Sequence, residues 1–297
     1  MIPSAPFKKW AGWIVVLLLA ALAAGCGPGA AETVAPTVAV EATAETAATE
    51  MPAEAEAEEA TMTVFAAASL TNAFGELGAA FDAANPGVTT VFNFAGSNQL
   101  ATQIGEGAPA DVFASANHAQ MDAVVESGRI DADAPVVFVT NRLVVVIPAD
   151  NPANIESLPD LAAPDTLIVL AADAVPVGQY SLDFLDRATA DPAFGASYRD
   201  DVLANVASYE ENVRSVLNKV SLGEADAGIV YTSDLVGVEN VTTLEIPDEL
   251  NVIAQYPIAA LNDSAHGDMA AAFVDYVLSA AGQEVLANYG FGAAPAQ

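Results

Sequence analysis

From Thr61 onward the chain alternates short apolar runs with stretches whose apolar residues recur at helical intervals. Thr63–Ala66 reads as a buried strand, and Leu70, Phe74, Leu77, Phe81 and Ala84 then follow at spacings of three and four, one face of a helix. Pro86-Gly87 stops that helix, Thr89–Phe94 reads as the next strand, and Ser97 opens a helix carrying Leu100 and Ile104 that closes at Gly105 and Gly107. Further strands are expected at Asp111–Ser115, Leu143–Ile147, Thr166–Ala171, Ala227–Tyr231 and Ile258–Leu261. The last segment is helical, with Met269, Phe273, Tyr276 and Val277 on one apolar face and Val285 and Leu286 on a second. Strands alternating with helices of this length predict an α/β protein, a parallel sheet with helices on both faces. The folded length suits two α/β lobes better than a single sheet.

The first 60 residues have a different pattern. Lys8 and Lys9 precede an uncharged apolar run, Trp10–Ala24, which is signal-peptide length and short of the roughly 20 residues a membrane span needs. The run ends in Leu22-Ala-Ala-Gly-Cys26, which resembles a bacterial lipobox, so residues 1–26 are expected to be a lipoprotein signal peptide with Cys26 acylated. Residues 27–60 hold eight Glu, no Lys or Arg, and no apolar period, the composition of a disordered acidic tether.

Charge and chemistry narrow the function. The chain has 8 Lys+Arg against 39 Asp+Glu, a formal net charge of −31, which excludes the basic stripe that nucleic-acid binding requires. One cysteine cannot supply a disulfide or a Cys-rich metal site. Two histidines, His118 and His266, leave little for a hydrolase, and Ala95-Gly96-Ser97-Asn98 lacks the Gly-x-Ser-x-Gly elbow. A metal site from Asp111, His118 and Asp122 has its simpler alternative in solvated helix-face charges.

The candidate chemistry lies where strands end. Ala66-Ala-Ala-Ser69 and Ala95-Gly-Ser97 each put a serine, preceded by tiny residues, at the expected N-cap of a helix. Such a serine either caps its own helix or leaves the N-terminal N–H groups to an anion that tiny neighbours allow to approach. Ala174-Val-Pro-Val177-Gly178, before a helix expected near Gln179, and Glu211-Asn-Val213-Arg214 have the same grammar. Tyr231 ends a buried strand, the edge where α/β sheets bind ligands. Arg214 is the nearby cation, expected to point away from the cleft toward surface carboxylates.

Val64-Phe-Ala-Ala-Ala-Ser-Leu-Thr-Asn-Ala73, Phe94-Ala-Gly-Ser-Asn-Gln-Leu100, Gly107-Ala-Pro-Ala-Asp-Val-Phe113, Glu211-Asn-Val-Arg214 and Gly228-Ile-Val-Tyr231 resemble, in order, the motifs of the periplasmic molybdate-binding proteins of ABC transporters. The resemblance implies a two-lobe periplasmic-binding-protein fold of type II kind, with the ligand cleft between the lobes and two hinge crossings. Lobe 1 would be 61–142 and 252–297, lobe 2 143–251, with hinges near Asn141-Arg142 and Val252. It implies molybdate or tungstate as ligand, with sulfate or another tetrahedral oxyanion as the alternative, no cofactor, no catalysis, and an ABC permease as partner of a lipid-anchored, extracytoplasmic monomer. Carried over by position, Ser69 and Ser97 would hold the anion by hydroxyl and N–H, Val177 and Val213 by N–H, and Tyr231 by its hydroxyl. Val177 stands where the family has a small residue, often Ala. An adhesin or other structural lipoprotein would instead show no oxyanion response. Setting aside the eight tether glutamates and two leader lysines leaves 31 acidic against 6 basic residues, near −25. A dianion site in so acidic a protein must therefore work by dipoles and hydroxyls at short range.

Overall fold

The computed structural model describes residues Ala60–Pro295. The expected signal peptide, Cys26 and the tether lie outside the described residues, except that Ala60 already opens the first strand.

The chain begins with β1 (Ala60–Ala67), α1 (Thr71–Ala84), β2 (Val88–Ala95), α2 (Ser97–Gly105), β3 (Val112–Ala114) and α3 (His118–Glu126). The long strand β4 (Val136–Pro148) leads to β5 (Ile168–Ala171), α4 (Pro176–Ala190), α5 (Tyr198–Ala204), β6 (Val206–Glu210), α6 (Val213–Ser221), β7 (Ala227–Tyr231) and β8 (Val241–Glu245). Then β9 (Ile253–Ala260) returns, followed by α7 (Gly267–Leu278), α8 (Ala280–Asn288) and the short β10 (Gly292–Ala293).

Hydrogen bonds join these strands in the order β2-β1-β3-β9-β4-β7-β5-β6, with β8 and β10 on β4. The expected parallel sheet is in fact mixed. Pairs β1–β2, β1–β3, β5–β6 and β5–β7 are parallel, whereas β9 and β4 run antiparallel to their neighbours. The reason is that β4 and β9 carry the chain from one half of the sheet to the other. Residues Val136–Arg142 of β4 pair with β9, and Leu143–Val146 pair with β7. The side chain of Asn251 clasps this changeover, donating to the Leu143 carbonyl at 2.9 Å and accepting from its N–H at 3.0 Å.

Strand periodicity explains how both faces are covered. Met62, Val64 and Ala66 of β1 enter the large core, while Phe65 enters a second cluster with Leu100 and Ile104 of α2 and Met121 of α3. Helix α1 buries Ala73, Phe74, Leu77 and Phe81, although Ala84 is exposed. Phe74 packs edge-on or tilted against Phe92, Phe138 and Phe273, with centroids 5.8–6.1 Å apart. Val213, Val216, Leu217 and Val220 form the buried face of α6. These faces fix the helix axes, and thereby the direction in which their N-termini point.

Candidate oxyanion site

The strand–helix turns converge on one small cavity, with about 10 Å³ of room for the centre of a water-sized body. That is about the space one water needs. Its walls come from the ends of β1 and β2, from Ala116 after β3, and from the N-terminal turns of α2, α4 and α6, with Tyr231 closing the end of β7. All five expected contact residues, Ser69, Ser97, Val177, Val213 and Tyr231, line it. None is more than 3 % exposed.

The serines do not cap their helices as their spacing predicts. Ser69 lies in a short 3-10 turn, Ala68–Leu70, ahead of α1, and the N-cap of α2 is Gly96, so Ser97 is the first helical residue; neither helix start has a side-chain cap bond. Ser97 Oγ instead accepts from the Ala116 N–H at 3.0 Å. Having accepted there, its own proton is free to be donated into the cavity. Ser69 Oγ lies 2.9 Å from Tyr256 Oη. Only Asn212 behaves as a conventional cap among these turns, accepting from the Ser215 N–H at 3.0 Å and holding Val213 at the first position of α6. Helix α4 starts at Pro176, before the expected Gln179, because proline needs no N–H partner in a first turn and has the helical φ already set. Val177 thus sits inside that turn.

Two glycines make the close approach possible. A Cβ on Gly178 would stand 2.0 Å from the Ala172 carbonyl oxygen, so only glycine lets the start of α4 rest on the end of β5. A Cβ on Gly96 would stand 2.5 Å from the Glu211 carbonyl oxygen, where the α2 turn meets the α6 turn across the cavity. Asn117 Nδ2, at the N-cap of α3, donates to Gln179 Oε1 of α4 at 3.4 Å.

The site's electrostatics come from dipoles. Helices α2, α4 and α6 put their first turns on the cavity wall, and at about +0.5 each they sum to roughly +1.5, less for their divergence. Tyr231 Oη is buried with no hydrogen-bond partner. Burial holds its proton on well above the ordinary tyrosine range, so it is a donor at neutral pH. Arg214 corrects the expectation of surface pairing. Its Nε lies 3.0 Å from Oδ1 of Asp234, a fully buried carboxylate, outside hydrogen-bond alignment. Asp234 Oδ2 accepts the Tyr231 N–H at 3.2 Å. The ion pair therefore ties the α6 turn to the end of β7, and it neutralises the cation nearest the cavity.

Burial pushes the Asp234 carboxyl up to about 6, against the opposing pull of Arg214 and the Tyr231 N–H. Between about pH 4 and that value the folded protein keeps a proton the unfolded chain has released. This group's contribution to stability is therefore full below about pH 4 and falls as pH rises through about 6, by on the order of 3 kcal/mol. The difference in unfolding free energy between the wild type and Asp234→Asn should change across that window and be flat above pH 7. A difference independent of pH would contradict the assignment.

His118 Nε2 bonds Gln255 Oε1 at 3.0 Å, His266 precedes α7, and neither lines the cavity. Asp111 is occupied by Thr63 and Ser264, and among the described residues no three His, Cys, Asp or Glu side chains come together to hold a metal. Three residues around the site escaped the sequence reading. Ala116 follows a strand within Ser115-Ala116-Asn117, the same small-and-polar grammar as the serine turns, and was findable on that signal. Asn141 and Tyr256 lie within strands and carry no local signal.

Residues 62–292 match the family model described as bacterial extracellular solute-binding protein. The molybdate-binding protein ModA of Mycobacterium tuberculosis H37Rv is 42 % identical over 232 residues, 78 % of this chain and 84 % of the relative. In fold, the chain resembles the periplasmic molybdate-binding protein of Azotobacter vinelandii, with a TM-score of 0.68 at 17 % identity over 80 % of this chain and 100 % of that one. It also resembles the sulfate-binding protein SubI of M. tuberculosis H37Rv, with a TM-score of 0.70 at 19 % identity over 78 % and 86 %. The architecture is thus the α/β two-lobe fold of periplasmic binding proteins. The chain belongs to the bacterial extracellular solute-binding proteins, and within them to the molybdate-binding family.

Proposed function

We propose that this protein is an extracytoplasmic receptor that captures molybdate or tungstate and delivers it to an ABC permease, without covalent chemistry. Ser69, Ser97 and Tyr231 donate hydroxyl protons to the oxyanion, and the N–H groups of Val177 and Val213 complete the shell. The observation that carries this reading is the buried Tyr231 hydroxyl, unpartnered in a cavity that the N-terminal turns of α2, α4 and α6 also line. A buried dianion is costly unless its oxygens are matched by several hydrogen bonds, and this set can match them. A donor-only shell offers nothing to a proton on the ligand, so it favours the fully deprotonated anion. Sulfate is the second reading, supported by the fold shared with a sulfate-binding protein.

Lobe 1 comprises 61–142 and 252–297 and lobe 2 comprises 143–251 in this reading, which the change of β4 partner at Arg142–Leu143 and the Asn251 clasp support. Cys26 is the acylated anchor, and the tether 27–60 holds a monomeric receptor away from the membrane.

Thermal unfolding of the full chain in detergent, with molybdate, tungstate, sulfate and phosphate in turn, tests the proposal. A ligand at 100 times its Kd adds about 2.7 kcal/mol, which is roughly 5–10 °C for a domain of this size. Molybdate and tungstate should each raise the midpoint by that order. No shift with any of the four would reject the reading.

A further inference from the structure

We propose that Asn141 and Tyr256, neither of which lines the cavity, form a relay that fixes Ser69 as a hydrogen-bond donor and so excludes protonated oxyanions. The inference rests on the reading of the cavity as a tetrahedral-oxyanion site.

The polarity can be followed atom by atom. The Arg142 main-chain N–H can only donate, and it lies 3.0 Å from Asn141 Oδ1, so that atom is the amide oxygen. Thr232 Oγ1 donates to the same oxygen at 3.1 Å. The amide nitrogen must then face the other way, where Nδ2 donates to Ser233 Oγ at 2.7 Å and to Tyr256 Oη at 3.3 Å. Asn141 is 1 % exposed and offers Tyr256 nothing that accepts. Either oxygen of the Tyr256 Oη–Ser69 Oγ contact, 2.9 Å long, can be the donor; the relay has Tyr256, already accepting from Asn141, donate to Ser69. Ser69 accepts it and donates into the cavity.

The geometry leaves little freedom to escape. The Tyr256 ring is held by Phe138, Tyr231 and Phe291, at centroid distances of 6.4, 5.9 and 5.7 Å. Burial keeps its hydroxyl protonated far above neutral pH. Ser97 is fixed by the same logic through the Ala116 N–H, a donor that cannot reverse. In the relay each serine accepts from a group behind it and has its own proton to give to the cavity. The relay also joins β9 to the turn after Tyr231, through Asn141, Ser233 and Thr232. Asn141 and Tyr256 are positioning residues, acting on the ligand only through Ser69.

The experiment compares molybdate with inorganic phosphate, which carries a proton at neutral pH, by calorimetry on the full chain in detergent. In Tyr256→Phe nothing behind Ser69 sets the direction of its proton, so the hydroxyl can turn and present a lone pair to the phosphate proton. Molybdate affinity should fall only about threefold, while phosphate affinity rises, so that the molybdate-to-phosphate ratio drops by about tenfold or more. Asn141→Asp keeps Tyr256 but draws its hydroxyl toward the new carboxylate; it should move the ratio the same way and decides the matter if Tyr256→Phe does not fold. A merely structural role would weaken both anions alike. An unchanged ratio, or no measurable phosphate binding by the folded variant, overturns the relay. If the wild type binds no tetrahedral oxyanion, the reading of the cavity itself fails.

Discussion

Replacing both serines, in Ser69→Ala/Ser97→Ala, should lower molybdate affinity by roughly 10²- to 10⁴-fold while leaving the domain folded. Each hydroxyl donates to a charged ligand, an interaction worth about 1.5–3 kcal/mol, and the two losses together give that range. The fold does not depend on them, since neither hydroxyl caps its helix. Ser97→Ala does remove the acceptor of the Ala116 N–H, which should cost about 1 kcal/mol, or a few degrees in Tm. Calorimetry and thermal unfolding measured side by side separate the two effects. Retained affinity in the double variant would mean that other groups hold the ligand.

The second large effect is expected at Gly96. In Gly96→Ala the new Cβ stands 2.5 Å from the Glu211 carbonyl oxygen and 2.7 Å from Asn98 Oδ1, closer than atoms pack. The two main-chain segments are distant in sequence, and on the proposed division they belong to different lobes. Their separation relieves the clash with Glu211, and the Asn98 side chain can turn away, so neither core is disturbed. The cost then falls on the closed, ligand-bound form, at about 1–3 kcal/mol, and affinity should drop about 5- to 150-fold. The ligand-free Tm should stay within a few degrees of the wild type. Wild-type affinity in Gly96→Ala would show that the approach of the α2 and α6 turns is not needed for binding.

What was legible in the sequence was what is written locally. The apolar runs at Thr63–Ala66 and Ala227–Tyr231 and the apolar face of α6 carry their period within a few residues, and tiny-residue turns before serine mark the strand ends. All five residues named on those turns line one cavity. Strands β6 and β8 were not expected, because Val206–Glu210 and Val241–Glu245 are half-exposed segments with little apolar material. The first half of β4 was missed as well; its pairing with β9 lies more than 100 residues away and leaves no local trace. That pairing is also what makes the sheet mixed. The same blindness hid Asn141 and Tyr256, whose role exists only through atoms that folding brings together. The partner of Arg214 is equally hidden from local sequence, because Asp234 follows a different strand and is buried in the interior.

The central claim is that a cavity of neutral donors holds a fully deprotonated tetrahedral dianion. Titration calorimetry of the full chain with molybdate, repeated at about pH 8, above the range in which Asp234 titrates, in two buffers of different ionisation enthalpy, tests it most directly. One molybdate should bind per chain, saturably, with the same heat in both buffers, because no group in the site takes up or releases a proton. No saturable heat, or a heat that follows the buffer, would contradict the account.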